Sequence, residues 1–418
     1  MVEKNTSVNK NNPLKSYCAA VAKSFKFKNY LNYIIIAAAL LIFVVMQSSG
    51  AMTRSMTGLL SQIGYSIILA VSLNIVVGFL GELSLGHAGF MCIGAYLGTF
   101  IGAHLIDVIS SKLVVLIISM LCGGILAALF GFLVGLPALR LKGDYLAIVT
   151  LAFGEIVRTI FKNLPWFGKS LGLTTKEITK TVLYGDNKFK SHLYITTFVV
   201  VLVMLFLVQN LLKSKHGRAI TAIRDNEIAA KAMGINVTYY KLFVFVFSAF
   251  FAGVAGVLYG AYTEPILYSA FDYNYSIEIL VMVVLGGMGN ITGSILAASL
   301  ITTVNFVLTT KLSGDLAALK FLVYALILMV VVIFNNAPGL RTFKEKFSFT
   351  ALRARITARQ AVRNPEKAAA NIRGDAAAWD RIPTKIKMDE VLSTDIVNPD
   401  GAVMEHGDKN TDSKGGAR

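Results

Sequence analysis

GRAITAIRDNEIAAKAMGINVTYYK, Gly217 to Lys241, is a polar stretch set between two long apolar runs. Arg218, Arg224, Asp225, Glu227 and Lys231 alternate with Ile220, Ile223, Ile228 and Met233, and the alanine pairs add helix propensity. Gly234 supplies a stop signal. The pattern predicts a short amphipathic helix over 217–235, offered at the surface by an otherwise lipid-soluble chain. Such a helix is suited to docking on a soluble partner.

Working outward, composition sets the class. Of 418 residues 55% are hydrophobic and 15% charged, and the mean hydropathy is +0.63, far from a soluble globular balance. The chain reads as an integral membrane protein, an all-α, polytopic transmembrane helix bundle. Cys18, Cys92 and Cys122 show no disulfide or metal-ligand spacing. The net charge of +16 sits in flanking segments and loops, where a positive-inside bias explains it without nucleic acid.

Apolar runs follow the lysine-rich segment 1–32 at Tyr33–Ser48, Leu59–Leu80, Leu85–Ile106, Leu113–Leu136, Tyr145–Phe161 and Leu193–Leu212. Beyond the polar loop they resume at Leu242–Tyr262, Ile277–Ile291, Ile295–Leu308 and Leu319–Phe334. Each approaches the ~20 residues that cross a bilayer, except two short ones in the second half. The count is about ten spans, or eight if a short segment only dips into the membrane, with both termini cytoplasmic. The first run reads as a signal-anchor; a secretory leader cleaved near Ala51 is the other reading. Three parts result: a cytoplasmic lysine-rich segment 1–32, a transmembrane domain 33–336 with cytoplasmic loop 213–241, and a basic, Ala-rich cytoplasmic tail 337–418, read as partly disordered.

Basic residues support this topology: six lie from Lys213 to Lys241, fifteen follow Phe334, and none lies in Thr263–Tyr275. The loop Lys162–Ser191 carries six lysines against the bias, and parity places it outside.

Two glycine-rich breaks stand out. GFLGELSLGHAGFMCIGAYLGTF, Gly78 to Phe100, gives a narrow helix face with Gly81, Ser84 and Gly86, and it carries two ionisable groups, Glu82 and His87. These groups line a translocation path or belong to helix packing and the membrane surface. VLGGMGNITGSILAA, with Gly286, Gly287 and Gly289, is the second break. Paired breaks of this kind mark cavity-lining backbone in transporters, or they are unrelated turns. Between them, Asp144 is placed to cap a helix, and Glu155 with Arg158 is spaced for an i, i+3 pair, structural or near a gate.

No G-x-x-x-x-G-K-[ST] phosphate loop is present, since Asn163 stands where Gly168-Lys169-Ser170 needs a glycine. Nor is there a zinc-type helix motif or a nucleophile constellation. The expectation is a chain with no catalytic residues, no metal site and no bound cofactor.

The loop, with Glu227, Ala229, Ala230 and then Gly234, resembles the EAA-type loop of bacterial ABC importer permeases. With GELSLGHAGFMCIGAY, GDYLAIVTLAFGEIVR, GRAITAIRDNEIAAKAMGIN and VLGGMGNITGS in this order, the region Met56–Leu340 is similar to the LivM-type permeases of high-affinity branched-chain amino acid importers. The resemblance implies an inner-membrane transport subunit, not an enzyme. It would pair with a second homologous permease, two cytoplasmic ATPase subunits that use ATP, and an extracytoplasmic substrate-binding protein. It makes Glu227, Ala229, Ala230 and Gly234 the ATPase-docking motif, with Arg218, Arg224 and Asp225 flanking. Gly81, Ser84, Gly86, His87, Gly286, Gly287 and Gly289 match membrane motifs without an assigned role. Related permeases carry urea and short amides, which stays open as an alternative, as does a self-sufficient secondary carrier or channel. The tail departs from the compact family pattern, and ALRARITARQAVRN within it suits a basic helix on anionic lipid.

Overall fold

The computed structural model describes residues 53–311 apart from 110, 140, 142 and 176–186, together with a few isolated positions on either side. All the described residues up to 311 lie in one compact unit, Met1–Asn335. The expected spans at Tyr33–Ser48 and Leu319–Phe334, the segment 1–32 and the tail 337–418 lie outside the described residues or touch them only at isolated positions.

Among the described residues helices make the whole frame. In chain order they are α1 (Arg54–Asn74), which runs on through a π-helical turn Ile75–Leu80, and α2 (His87–Leu105), which is interrupted by a second π turn at Gly94–Gly98. Next come α3 (Lys112–Ala138), α4 (Asp144–Asn163) and α5 (Asn187–Lys213). The polar loop holds α6 (Lys215–Asp225) and α7 (Glu227–Ala232), followed by α8 (Val237–Tyr262), α9 (Tyr273–Gly286) and α10 (Ile291–Lys311). Among the described residues six helices are long and apolar enough to cross a membrane: α1 with its π turn, α2, α3, α5, α8 and α10. Helix α4 is long enough, but it carries Asp144, Glu155, Arg158 and Lys162. The run expected at Ile295–Leu308 proves full length as α10, whereas α9 is a short apolar helix.

Two helices begin inside the bundle. The His87 imidazole, at the start of α2, meets the Ser72 hydroxyl at 2.8 Å, and Ser248, midway along α8, donates to the Ser72 carbonyl at 2.6 Å. The chain therefore climbs from Gly81 to Gly86 without helix before α2 starts at mid-depth. Thr150 of α4 steadies this climb by accepting from the Leu85 N–H at 3.0 Å. Helix α9 starts at a similar level: the Ala88 N–H donates to the Ser276 hydroxyl at 3.2 Å. Asp272 caps α9, accepting from the Tyr275 N–H at 3.0 Å.

Glycine brings α2, α3 and α8 into backbone contact. A Cβ on Gly94 would lie 2.5 Å from the Gly253 Cα, and one on Gly123 would lie 2.6 Å from a Val257 methyl. In a membrane, where lipid is as apolar as leucine, such close packing replaces the hydrophobic drive to associate. Gly94→Val should therefore cost about 1–3 kcal/mol by overpacking. The check is a lower melting temperature in detergent at unchanged membrane insertion.

The end opposite the polar loop is tied by an antiparallel bridge between Leu173 and Ile266, with N–H···O distances of 3.0 Å both ways, and by the Glu264 carboxylate accepting from Thr175. This places the start of the lysine-rich loop 162–191 at the end away from the polar loop. One capping assignment needs correction. Gly143, with φ +60°, is the N-cap of α4, and Asp144 is its first residue and makes no side-chain cap. Only glycine enters that backbone region without strain.

Candidate functional site

The polar loop is two helices instead of the single helix predicted over 217–235. Asn226 breaks it: with φ −158° it leaves the helical region, and its side chain accepts from the Ala229 N–H at 3.0 Å, capping α7. Ser214 caps α6 in the same way through the Gly217 N–H. Helix α7 ends at Gly234, φ +80°, where the Gly234 N–H reaches the Lys231 carbonyl and the Ile235 N–H reaches the Ala230 carbonyl, both at 3.1 Å. This is the paired bonding of a Schellman stop, and it needs the left-handed conformation that glycine adopts freely.

One side of this pair is embedded. Ile220, Ile223 and Ala230 are buried. The other side is open: Ile228 and Met233 are each 82% exposed, and Arg218, Asp225, Ala229 and Lys231 are exposed around them. A short, rigidly capped helix thus presents two large apolar side chains within a charged rim.

The base of the pair is wired to both glycine breaks. Arg224 donates through Nη1 to the Gly78 carbonyl at 3.0 Å and pairs with Asp225 at 3.0 Å. Gly78 lies in the π turn ending α1, where carbonyls lack helical partners and a cation is the natural cap. Gly81, φ +83°, closes that turn, and a Cβ there would come within 2.9 Å of the Arg224 Cγ. From the other break, the Gly289 N–H donates to the Asn74 side-chain oxygen at 2.9 Å, while the Asn74 amide donates to Ser294 at 2.9 Å. Gly78 and Gly289 are in backbone contact, for a Cβ on Gly78 would meet the Gly289 N–H and lie 2.9 Å from its Cα. The two breaks read separately in the sequence are one joint. Gly287 and Gly289, with φ +88° and +79°, shape the turn between α9 and α10, and Gly286 packs on the backbone of Gly293.

A second tie runs beside the first. Lys241, in the first turns of α8 and with its side chain only 5% exposed, pairs with Glu82 at 2.5 Å and with Glu227 at 3.1 Å. Glu82 therefore joins the loop end of the bundle. Its partners place it with α7 and α8, away from the mid-depth level of His87. His87 itself is buried between Ser72 and the edge of Phe90. Gly86 packs on the Thr150 carbonyl, and Ser84 is buried with no hydrogen-bond partner among the described residues.

Sequence reasoning missed Asn74, Asn226 and Lys241. Asn74 carried a signal, an amide inside an apolar run, and Lys241 carried another, a cation at the start of one. Among the described residues no group of acidic, histidine or cysteine side chains is placed to hold a metal.

The chain is a polytopic helical bundle whose polar loop is fastened to two glycine breaks, and comparison with known proteins specifies its class. Residues 55–332 match the family described as branched-chain amino acid transport system / permease component, so the chain belongs to that family and is a multi-pass protein of the bacterial inner membrane. It is 38% identical over 203 residues to the high-affinity branched-chain amino acid transport system permease protein LivM of Salmonella typhimurium, covering 43% of this chain and 47% of that protein. It is 39% identical over 201 residues to LivM of Escherichia coli, with the same coverage. A probable LivM of Methanocaldococcus jannaschii is 36% identical over 175 residues, 40% of this chain and 50% of that one. The chain thus spans about half the length of these relatives. No solved structure matches it.

Proposed function

We propose that the chain is the membrane-spanning permease subunit of an ATP-driven, binding-protein-dependent importer of branched-chain amino acids. In this reading α6 and α7 dock on a separate cytoplasmic ATPase subunit, a second homologous permease completes the path, and an extracytoplasmic protein delivers substrate. The chain itself binds no nucleotide and does no covalent chemistry. The substrate class rests on the LivM relatives. The coupling rests on one observation: a capped helix with Ile228 and Met233 exposed is tied at its base by Arg224 and Lys241 to the first glycine break, which is itself packed on the second.

The physics of the lever is direct. Movement of a docked α7 is passed on through short charge-assisted contacts, which resist stretching more than apolar packing does. At the far end of those contacts glycine backbones slide past one another without interlocked side chains. A self-sufficient carrier has no use for such a lever.

Glu227→Lys sets two cations against each other at Lys241, and Gly234→Pro forbids the positive φ and removes the N–H bonded to Lys231. Both should insert normally yet lower uptake by about tenfold or more, the effect of losing ~1.4 kcal/mol of coupling. Co-purification from native membranes tests the reading directly. Two ATPases and a second permease should accompany the wild-type chain, and the ATPases should be lost with Ile228→Asp. A chain that purifies alone and moves solute in ATP-free liposomes would overturn it.

A further inference from the structure

Helix α4 carries an ion pair where lipid would not tolerate one. The Glu155 and Arg158 side chains meet at 2.7 Å and remain 27–29% exposed, and the Arg158 Nε is buried with no hydrogen-bond partner among the described residues. Glu155 stands roughly 16 Å along α4 from Asp144, about half the thickness of a hydrocarbon core. The outward side of α3 differs, with Leu121, Ile125, Leu129 and Leu133 exposed, a surface made for lipid. Charges at membrane depth face a protein-lined or watery path instead.

What Glu155 faces is specific. Glu155 borders a narrow cleft whose other walls are the first turn of α9, with Asp272 and Ser276, and the start of α2 at Ala88 and Gly89. Leu85, Leu151 and Phe271 supply apolar walls. Two carboxylates, Glu155 and Asp272, therefore line the cleft beside the origins of α2 and α9, next to apolar surface, and the Arg158 guanidinium stands one turn further along α4, held against Glu155. A free amino acid with an aliphatic side chain offers the complementary set: a carboxylate, an ammonium and a hydrocarbon group. The Asp272 carboxylate already caps α9 and binds Asn274, which leaves Glu155 as the better partner for an ammonium.

We infer that the Glu155–Arg158 pair is the substrate subsite of the translocation path, with Arg158 receiving the α-carboxylate and Glu155 the α-ammonium of a zwitterionic amino acid. The inference rests on the transport reading above. The cleft leaves no room for a water-sized sphere in this structure, so it is closed here. Opening requires α4 to part from α2, and the two helices meet through glycine: a Cβ on Gly89 would lie 2.7 Å from the Gly154 Cα. Substrate entering that gap exchanges one ion pair for two, so neither charge is left without a partner in transit.

The test is uptake of labelled leucine by the complete importer in liposomes, with Glu155→Gln, Arg158→Gln and the double swap Glu155→Arg with Arg158→Glu. Wild-type co-purification and uptake decide the importer reading; the variants decide the subsite. Each single variant should assemble with the ATPases and lose about tenfold or more in uptake. The swap should recover the melting temperature of the wild type but not its uptake, because the charges then face the zwitterion in the wrong order. Uptake restored by the swap, or retained in both single variants, would make the pair a structural brace and overturn the inference. Should the variants fail to assemble, Leu151→Cys, which lines the cleft, replaces them in a cysteine-free background. Labelling by a membrane-impermeant maleimide that slows when leucine is being transported supports the path, and a site that never labels overturns it.

Discussion

Lys241→Met should abolish ATP-coupled uptake while leaving the helices in the membrane. The substitution keeps the length and apolar stem of the side chain but removes the charge shared by Glu82 and Glu227. Glu82 is the more enclosed of the two carboxylates, with 13% of its side chain exposed against 38% for Glu227, so most of the cost falls on the Glu82 arm. Breaking a buried pair by removing one partner costs about 3–5 kcal/mol, because a charge is left unpaired. Thermal unfolding in detergent, together with ATPase rate and uptake in liposomes, checks the result. The mutant should melt lower, and any remaining ATP hydrolysis should no longer drive import. Lys241→Arg keeps the charge and should recover part of both. Wild-type uptake by Lys241→Met at equal membrane levels would show that this tie carries no force.

The second large effect is expected at Gly78. A leucine there has nowhere to go, since even its Cβ would overlap the Asn74 side-chain oxygen and the Gly289 backbone. Either the Asn74–Gly289 hydrogen bond breaks or the π turn unwinds and withdraws the carbonyl that Arg224 holds. Overpacking costs about 1–3 kcal/mol, and stranding a buried amide adds about another 1–3 kcal/mol. Gly78→Leu should therefore be expressed poorly and transport nothing. Gly234→Ala is an informative comparison. No atom lies within 4 Å of a Cβ at that position, so its penalty is only that of positive φ and uptake should fall far less. If Gly78→Leu and Gly234→Ala proved equally mild, the joint between the breaks would not be a close one.

Much of this was legible in the chain itself. Hydropathy marked most of the spanning helices, and the motif order around Glu227, Ala229, Ala230 and Gly234 indicated the family. The stop at Gly234 followed from backbone sterics alone. The helix break inside the loop was readable too, because an asparagine three residues before Ala229 is an ordinary cap, yet the run of good helix formers on both sides obscured it. The assignment of Asp144 as a cap failed for a similar reason. A glycine with positive φ took the position, and backbone conformation outweighed side-chain preference.

Partnership across the bundle was not legible. Asn74 and Gly289 are 215 positions apart, Glu82 and Lys241 159 apart, and each lies among apolar residues whose pattern is nearly the same on every helix face. In water, periodicity separates inside from outside; in a bilayer both sides are apolar, and that signal weakens. The sequence by itself determined that this is a polytopic helical membrane protein of the permease family, with a polar loop and two glycine breaks. Only the tertiary structure decided that the breaks form one joint, that Arg224 and Lys241 fasten the loop to it, and that α2 and α9 begin at mid-depth beside a charged pair. The reason is that a polar group in an apolar surround is satisfied by whichever partner the packing brings within about 3 Å, and packing is a property of the whole bundle.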